Sequence, residues 1–505
     1  MASAGRHPEA DLEAIAAMPG LEAVAEAIAV ADTAKRASSR NYLAITILIA
    51  ARWAFGGSMN QLTTALRTSS LWDRCRESAA RVGRQLPADP PTEGQFRHLR
   101  DRTPGLGRVA ATALTPIAVE LTQQLGLLEP ADPTPSYMQP DPAHHVVGDG
   151  TGFYLLSEVT EDESGNPVGS RAKCAGPGRQ GPRIATAYLT KEGAPKVPIT
   201  AIAANLRQRW GRVVLGVDLF TDGDEIGSSM RLLDQVIDEA PGGVHTVGYD
   251  MLMSGVHQRH LMRRGAMPVV EMPESPENWG HLVLPEELRK RRGTRNRSNS
   301  PKRRRAGKGR RRRSGNEPRI KTRVRKVKIE LVTHIGQGTC AHDLWAVDGT
   351  LVAVRPGHEP TMDAPVAELL SIRYDDTPDV PRMVGRFRIP CRHDDFIYEF
   401  DFAGDRKGTN RKGQRYAYAD WLSPFPESAF GFEEAAGWRN DAESNFSHKK
   451  RMTPLPGRAC SLDADHFLLD MVGASLFLNA RAWDVHVAQH TRCGQVNHAE
   501  LRRRG

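Results

Sequence analysis

The fold class is decided by the segment HHVVGDGTGFYLL, residues 144–156, which predicts a buried strand that ends in an Asp-Gly turn. Further strand-like runs follow it at 184–190, 197–204 and 213–220. Residues 223–240 have the periodicity of an amphipathic helix with acidic residues in its first turn. Strands that lead into helices and return to strands indicate an α/β fold with a mixed sheet.

A second informative segment is VHTVGYD, residues 244–250, which predicts a strand that ends on Asp250. A short helix closed by Gly265 and another strand at 267–272 are predicted after it. Asp149, in the first segment, is likewise expected at a strand end. The sequence thus places two carboxylates at the ends of strands, 101 residues apart.

Upstream of these strands, residues 1–130 are predicted to be helical, in Ala-rich and Leu-rich segments at 9–32, 41–56, 59–68 and 104–126. Ser58 is predicted to cap the helix that carries Leu62 and Leu66. A proline-rich linker at 129–142 closes the region. Because no clean helix-turn-helix pattern is present, a helical packing module and a DNA-end-binding module are equally good interpretations.

The charge of the chain is concentrated in one tract. The 505 residues carry a net charge of +9, and Arg289–Lys328 contains 21 Lys and Arg against one acid, Glu317. That tract is therefore +20, which leaves −11 for the other 465 residues. Its affinity for a polyanion would be independent of sequence and sensitive to salt, through counterion release. The alternative is a solvated, flexible charge run.

The rest of the chain completes a predicted domain order. Short β-like segments follow the basic tract, and two helices, at about 431–452 and 463–488, close the chain. The basic tract is low in apolar residues and is expected to be disordered without a partner. The predicted regions are a helical region (1–130), the first part of an α/β domain (143–284), the basic tract (285–328), a β-rich insertion (329–425) and the C-terminal helices of the α/β domain (426–495).

A cytosolic location and no membrane contact are expected. The six cysteines contain no CxxC pair, so nothing indicates a disulfide framework. The N-terminus has acidic residues where a signal peptide needs an apolar run. The most apolar stretch, residues 42–51, is too short to cross a bilayer.

The block GWRNDAESNFSHKKR, residues 437–451, carries the most chemical information. Arg439, Glu443 and Lys450 lie at offsets of four and seven, which place them on one face of a helix. On such a face the carboxylate can bind a metal ion while the two cations on either side contact a phosphate backbone. For Arg439 the alternative is a salt bridge to Glu443 or Asp441.

Asp149, Asp250 and Glu443 together form a candidate metal site. Carboxylates from neighbouring strand ends and from a helix across the sheet edge can bind two hard divalent cations. Such a pair of ions activates an attacking oxygen and stabilises a leaving oxygen. The alternative is coincidence, because the chain has 60 acidic residues from which any three can be picked.

These segments resemble the DDE-class transposases of bacterial insertion sequences, over about residues 40–490. The resemblance rests on the strand with Asp149, on the strand-acid-helix stretch around Asp250, and on the spacing of Arg439, Glu443 and Lys450. One large subgroup carries Tyr, Arg, Glu and Lys at this spacing and has a β-rich insertion between its second and third acids. Here Ala436 stands where that subgroup has tyrosine, and Met251-Leu252 replaces a frequent Gly-Tyr pair.

The resemblance implies a ribonuclease-H-like catalytic domain and metal-dependent phosphoryl transfer on double-stranded DNA. Asp149, Asp250 and Glu443 would be the catalytic residues and would hold two Mg²⁺ or Mn²⁺ ions. Cleavage at the element's end would free a 3′-hydroxyl, which would then attack the target DNA. A homodimer on DNA and a bacterial, nucleoid-associated location are expected. The residues expected to contact DNA are Arg439 and Lys450 beside the acids, and Arg303, Arg304, Arg305, Arg311, Arg312 and Arg313 in the basic tract.

Two rival functions remain open at this stage. The first is a catalytically inactive DNA-binding protein that derives from a transposase. The second is a structural or RNA-associated protein that works through its Arg-rich tract. Two Cys-x-His pairs, Cys340 with His342 and Cys391 with His393, form either a structural zinc site or an unremarkable set of side chains, since the spacing is tight for zinc.

Overall fold

A computed structural model of the chain shows an α/β protein with an N-terminal helical region and a mixed sheet. The chain forms two compact units. The first comprises Met1–Pro135, Gln139–Leu252 and Glu434–Gly505, and the second comprises Ser136–Met138 and Met253–Glu433. The structure describes residues 8–33, 40–130, 136–154, 158–161, 167–171, 188–189, 195–206, 210–220, 224–250, 252–271, 281–283, 323–336, 338–361, 364–409, 415–427, 429, 431–453, 457–459, 461 and 464–492.

The helices and strands of the described residues are numbered in chain order. The α-helices are α1 (Pro8–Ala17), α2 (Leu21–Ala31), α3 (Tyr42–Ala51), α4 (Met59–Thr68), α5 (Leu71–Arg81), α6 (Glu93–Arg102), α7 (Leu106–Gln124), α8 (Glu225–Glu239), α9 (Gly255–Arg263), α10 (Phe432–Gly437), α11 (Asn440–Met452) and α12 (Ala464–Arg492). The strands are β1 (His145–Tyr154), β2 (Glu158–Glu161), β3 (Pro167–Arg171), β4 (Tyr188–Leu189), β5 (Pro195–Asn205), β6 (Arg212–Leu219), β7 (Thr246–Gly248), β8 (Met267–Val269), β9 (His281–Val283), β10 (Arg323–Ile335), β11 (Thr339–Val347), β12 (Thr350–Val354), β13 (Glu368–Asp375), β14 (Arg382–Ile389), β15 (Phe396–Asp401), β16 (Lys407–Thr409) and β17 (Arg415–Ala417).

The N-terminal region is helical, as the sequence predicts. The Ser58 hydroxyl accepts a hydrogen bond from the backbone N–H of Gln61, which confirms the predicted cap of α4. Helices α5 and α6 were not separately predicted, because polar residues dominate both and hide their apolar face. A reciprocal pair of hydrogen bonds between Thr92 and Gln95 begins α6 directly after the proline-rich stretch.

The sheet of the first unit is mixed. Strand β1 pairs antiparallel with β5, β5 pairs antiparallel with β6, and β1 pairs parallel with β7. The resulting order is β6-β5-β1-β7. The long apolar helix α12 packs on β6, where the side-chain amide of Asn479 bonds both backbone groups of Val214. The prediction that α12 belongs to the core is confirmed by the burial of Phe467 and Leu468.

Strand β1 corrects one sequence prediction. It does not end in a turn at Asp149-Gly150 but continues to Tyr154, paired with β5 along its whole length from Val147. The extended partner decides this, because Gly150 lies opposite Thr200 in an unbroken ladder. Asp149 is therefore inside a strand rather than at its end.

The second unit contains the β-rich insertion. Strands β9 to β12 form one antiparallel sheet in the order β12-β11-β10-β9, and β13, β14 and β15 form another. Strand β10 begins at Arg323, so the last six residues of the range 285–328 are not part of a disordered tract. Val327 is buried in this strand, and Lys326 and Lys328 form ion pairs with Glu359 and Asp343.

Among the described residues, no single helix is both long enough and apolar enough to cross a bilayer. Two sharply bent helix pairs, Pro8–Ala17 with Leu21–Ala31 and Tyr42–Phe55 with Met59–Thr68, reach that threshold only when each pair is taken together.

Candidate active site

Asp149 and Asp250 lie at equivalent positions on neighbouring parallel strands. His145 pairs with Thr246 and Val147 with Gly248 in the β1–β7 register. Asp149 lies two residues after Val147, and Asp250 lies two residues after Gly248. Asp250 follows the end of β7, where its carboxylate accepts a hydrogen bond of 2.9 Å from the backbone N–H of Leu252. The structure therefore brings the two strand acids to the same level of the sheet.

Glu225 is a third acid at this place, and the sequence analysis missed it. It is the first residue of α8, and its carboxylate accepts a hydrogen bond of 3.1 Å from the Tyr249 hydroxyl. Gly150 gives it room, because a Cβ atom at that position would lie 2.1 Å from the Glu225 Cδ atom. Burial raises the pKa of Glu225, and the charges of Asp250 and Asp149 raise it further.

A chain of buried hydroxyl groups connects Glu225 with the backbone of Asp149. The Thr200 hydroxyl donates to the carbonyl oxygen of Asp149 at 3.1 Å and lies 2.5 Å from the Ser229 hydroxyl. The Ser229 hydroxyl lies 2.7 Å from that of Tyr249, which contacts Glu225.

Helix α11 is joined to the same strand by Lys450. Its Nζ atom donates a hydrogen bond of 2.5 Å to the Thr151 hydroxyl, two residues beyond Asp149, and lies 5.7 Å from the centre of the Phe153 ring. Just after the helix, the backbone N–H of Ala459 donates to the Tyr154 carbonyl oxygen. Both contacts fix the end of α11 against the second half of β1.

A cavity of about 450 Å³ lies between α11 and β1. Its lining carries one acid, two cations and small polar or apolar groups. The lining residues are Asp149, Thr151, Phe446, Ser447, Lys450, Arg451 and Gly457. A cavity with a carboxylate on one wall and cations on the other is suited to a phosphate group held near a metal ion.

The third predicted acid, Glu443, lies on α11 at offsets of four from Ser447 and seven from Lys450. These offsets put its backbone position on the helix face that borders the cavity. Its carboxylate lies outside the part of the chain that the structure describes. The structure thus places Glu443 on the expected helix and leaves its distance from Asp149 and Asp250 untested.

The helix that carries Glu443 and Lys450 is shorter than predicted. The predicted helix at 431–452 is two helices, α10 and α11, separated by a turn at Trp438 and Arg439. Trp438 is buried and its ring lies 4.7 Å from that of His145, so packing of this indole accompanies the break. Arg439 precedes α11 with right-handed helical backbone angles, one residue before the helix begins.

Lys449, next to Lys450, has a different environment. It is fully buried, and its Nζ atom donates to the Ser475 hydroxyl of α12 at 3.1 Å. Burial lowers the pKa of Lys449 to about 7. Adjacent lysines of α11 therefore serve different purposes, one anchoring the helix on the core and one lining the cavity.

The six arginines predicted to contact DNA in the basic tract lie outside the described residues. They are Arg303, Arg304, Arg305, Arg311, Arg312 and Arg313.

The donor set of Asp149, Asp250 and Glu225 fits a hard divalent cation. All its ligand atoms are carboxylate oxygens, which Mg²⁺ and Mn²⁺ prefer, and a cation would relieve the repulsion among the three acids. These oxygens are not packed into one tight group. Within the described residues, the one group of at least three ligand atoms that all lie within 4.8 Å of one another is Cys340, His342 and Cys391, in the second unit.

Comparisons with known proteins found no relative from which function can be transferred. No protein-family model matches the chain, and no curated protein shows a significant match to it.

Proposed function

We propose that the protein is a DNA transposase that cleaves phosphodiester bonds with divalent metal ions and joins the freed end to target DNA. One observation carries the proposal. Asp149 and Asp250 occupy equivalent positions on adjacent parallel strands, and α11, which carries Glu443, is tied to the same strand by Lys450 and Thr151. Acids from two strands and one helix are thereby directed to one region beside a cation-lined cavity.

The strand arrangement supports a ribonuclease-H-like catalytic domain as the finer description of the fold. In that fold three antiparallel strands are followed by a helix and then by a strand parallel to the first. Here β1, β5 and β6 are consecutive antiparallel neighbours among the first unit's core strands, and α8 leads to β7, which is parallel to β1. The third acid of such a domain comes from a helix after the last core strand, as Glu443 does.

In this proposal Asp149, Asp250 and Glu443 hold two Mg²⁺ or Mn²⁺ ions, with Glu225 beside them. When bound, such ions lower the pKa of an attacking water and stabilise the leaving oxygen of an in-line displacement. Lys450 orients the DNA by contacting a backbone phosphate from the opposite wall of the cavity.

DNA outside the site is held by positive charge in this proposal. The tract 289–328 supplies sequence-independent affinity for double-stranded DNA, and Arg439 contacts the backbone near the cleaved bond. Transposition requires two element ends together, so the working form is a homodimer on DNA. The compartment is the bacterial cytoplasm, at the nucleoid.

The experiment that tests the proposal is a cleavage assay on a plasmid that carries this reading frame with its flanking DNA. Full-length protein is incubated with the plasmid in Mg²⁺, in Mn²⁺ or in EDTA, and the cut ends are mapped. Wild type is expected to cut at fixed positions on either side of the frame, only with metal. Asp149→Asn is expected to lose at least ~100-fold of the rate, because several kcal/mol of charge stabilisation depend on the ions.

Glu239→Gln is the matched control, since Glu239 is an exposed acid at the far end of α8. It is expected to cut like wild type. Binding of the same DNA is measured in parallel. If wild type and Asp149→Asn bind equally and neither cuts, the protein is the inactive DNA-binding alternative. If deletion of 289–322, which leaves strand β10 intact, abolishes function while the acids are dispensable, the Arg-rich tract carries the function.

A further inference from the structure

A cluster of soft ligands lies in the second unit. Cys340 and His342 are on β11, and Cys391 follows β14. Their ligand atoms all lie within 4.8 Å of one another. Cys340 and His342 are two residues apart on one strand, so their side chains leave the same face of the sheet. Soft ligands from two distant chain segments thus converge at the spacing of a single metal ion's ligand shell.

A second histidine on that face completes the set. His334 of β10 lies directly opposite Cys340 in the β10–β11 ladder. Its ring stacks on Phe396 at 4.7 Å between centroids, and the His342 ring contacts the same phenyl group at 5.5 Å. Two imidazoles and one phenyl ring therefore form an apolar wall beside the thiols.

Both imidazoles have an unsatisfied buried nitrogen. The Nε2 atoms of His334 and His342 are buried and have no hydrogen-bond partner among the described residues. A buried polar atom without a partner is costly, and a native structure rarely contains two of them side by side. Coordination to a metal ion would satisfy such a nitrogen as fully as a hydrogen bond.

We propose that Cys340, His342, Cys391 and His334 bind one structural Zn²⁺ ion. Two thiolates and two neutral imidazoles balance the ion's charge and satisfy its preference for four N and S ligands. The thiols of Cys340 and Cys391 release their two protons to solvent when the ion enters, and no bond within the protein breaks. The ion fastens the β10–β11 hairpin to the turn between β14 and β15.

His393 does not belong to the site, although a Cys-x-His pair with Cys391 would include it. Its Nε2 atom accepts a hydrogen bond of 3.1 Å from the Arg392 side chain, and its ring lies beside Gly338. The zinc site is independent of the proposed transposase activity, because it lies in another unit and uses other residues.

The test uses full-length protein that has been stripped with a chelator under reducing conditions and titrated with Co²⁺. Thiolate ligands give Co²⁺ an intense charge-transfer absorption, which carboxylates do not give, so the band reports this site alone. Wild type is expected to develop the band to one Co²⁺ per chain and to lose it stoichiometrically to added Zn²⁺. Cys391→Ser is expected to bind at least ~100-fold more weakly.

Matched variants distinguish residues that bind the metal ion from residues that do not. His334→Gln is expected to alter the tetrahedral Co²⁺ spectrum, whereas His393→Gln and the exposed His358→Gln are expected to leave it unchanged. Cys75→Ala, a buried cysteine of α5 in the first unit, is expected to keep the band. If wild type gives no charge-transfer band, or if Cys340 and Cys391 are recovered as a disulfide from freshly reduced protein, the proposal is wrong. An unchanged band in Cys391→Ser also overturns it, whether or not other variants fold.

Discussion

The two units carry two groups of ligand-type side chains that differ in every chemical respect. In the first unit the donors are the carboxylates of Asp149, Asp250 and Glu225, spread beside an open cavity. In the second unit they are two thiols and the His342 imidazole, whose ligand atoms lie within 4.8 Å of one another, with His334 opposite Cys340 in the neighbouring strand. Hard oxygen ligands with open positions suit substrate chemistry, and a closed N and S shell suits a structural ion. From this difference we propose a catalytic role for the first group and a structural role for the second.

The largest expected effect is the loss of cleavage rate when the ligand type in the first unit is changed. Asp250→Cys replaces a hard oxygen by a soft sulfur at a position where the proposal requires Mg²⁺. We expect Mg²⁺-dependent cleavage to fall at least ~100-fold and to return in part with Mn²⁺, which accepts sulfur more readily. The measurement is the initial cleavage rate in each metal. Full activity of Asp250→Cys in Mg²⁺ would remove Asp250 from the site.

Removing zinc should affect one unit and spare the other. After chelation, amide exchange in β10, β11 and β14 is expected to accelerate by about tenfold or more, because the proposed ion fastens the hairpin to the β14–β15 turn. Exchange in β1, β5 and β6 should remain unchanged. Hydrogen exchange followed by mass spectrometry resolves the two sets of strands. Equal acceleration in both sets would mean that the chelator acts somewhere other than the cysteine cluster.

Lys450 tests whether the cavity of the first unit faces DNA. Lys450→Met keeps an apolar stem over Phe153 and loses the charge beside Thr151. Affinity for duplex DNA is expected to fall several-fold, and the slope of log K against log salt concentration should become shallower by about 1. Lys407→Met, at an exposed position of β16, is the control and should change neither quantity. An unchanged slope for Lys450→Met would mean that no phosphate contacts this lysine.

The smallest effect is expected from Glu225, through the pH dependence of stability. The folded-state pKa of Glu225 is raised by burial and by Asp250 and Asp149, so the folded protein holds this proton to higher pH than the unfolded chain. Metal-free stability should therefore decline as pH rises from the unfolded value toward the raised one. Glu225→Gln should flatten that decline, because the amide stays neutral. The free energy of unfolding in urea, measured at a series of pH values for both proteins, tests this prediction.

Added Mg²⁺ should change the pH dependence of stability that involves Glu225. It should stabilise wild type more at high pH than at low pH, because binding displaces the proton from the acid site. If wild type and Glu225→Gln share one pH profile with and without Mg²⁺, Glu225 does not take part in the site.

The sequence predicted the architecture well where hydrophobic periodicity was strong. The α/β order from β1 to α8, the apolar helix α12 and the cap at Ser58 follow from spacing and local chemistry. Helices α5 and α6 were missed because their polar residues conceal a narrow apolar face. The turn predicted at Asp149-Gly150 was wrong, since pairing with the distant strand β5 overrides the local Asp-Gly preference.

The site could be predicted only where an acid stands in a distinctive context. Asp149 and Asp250 follow apolar strand segments, which makes them conspicuous. Glu225 opens a helix, where an acid is expected to interact with the helix dipole, and nothing local indicates its contact with Tyr249. The convergence of Cys391 on Cys340 depends on how two sheets pack, which residue spacing does not encode.

The most direct measurement uses a bound metal ion to cleave the backbone around it and so identifies the residues near the ion. Fe²⁺ placed in the acid site with ascorbate and peroxide cuts nearby backbone, and mass spectrometry maps the cuts. We predict clusters around residues 149–151, 225, 249–251 and 443–447, all absent from Asp149→Asn protein, with none near 340 when Zn²⁺ is present. Cuts that omit 443–447, or that persist in Asp149→Asn, would contradict a shared metal site of Asp149, Asp250 and Glu443.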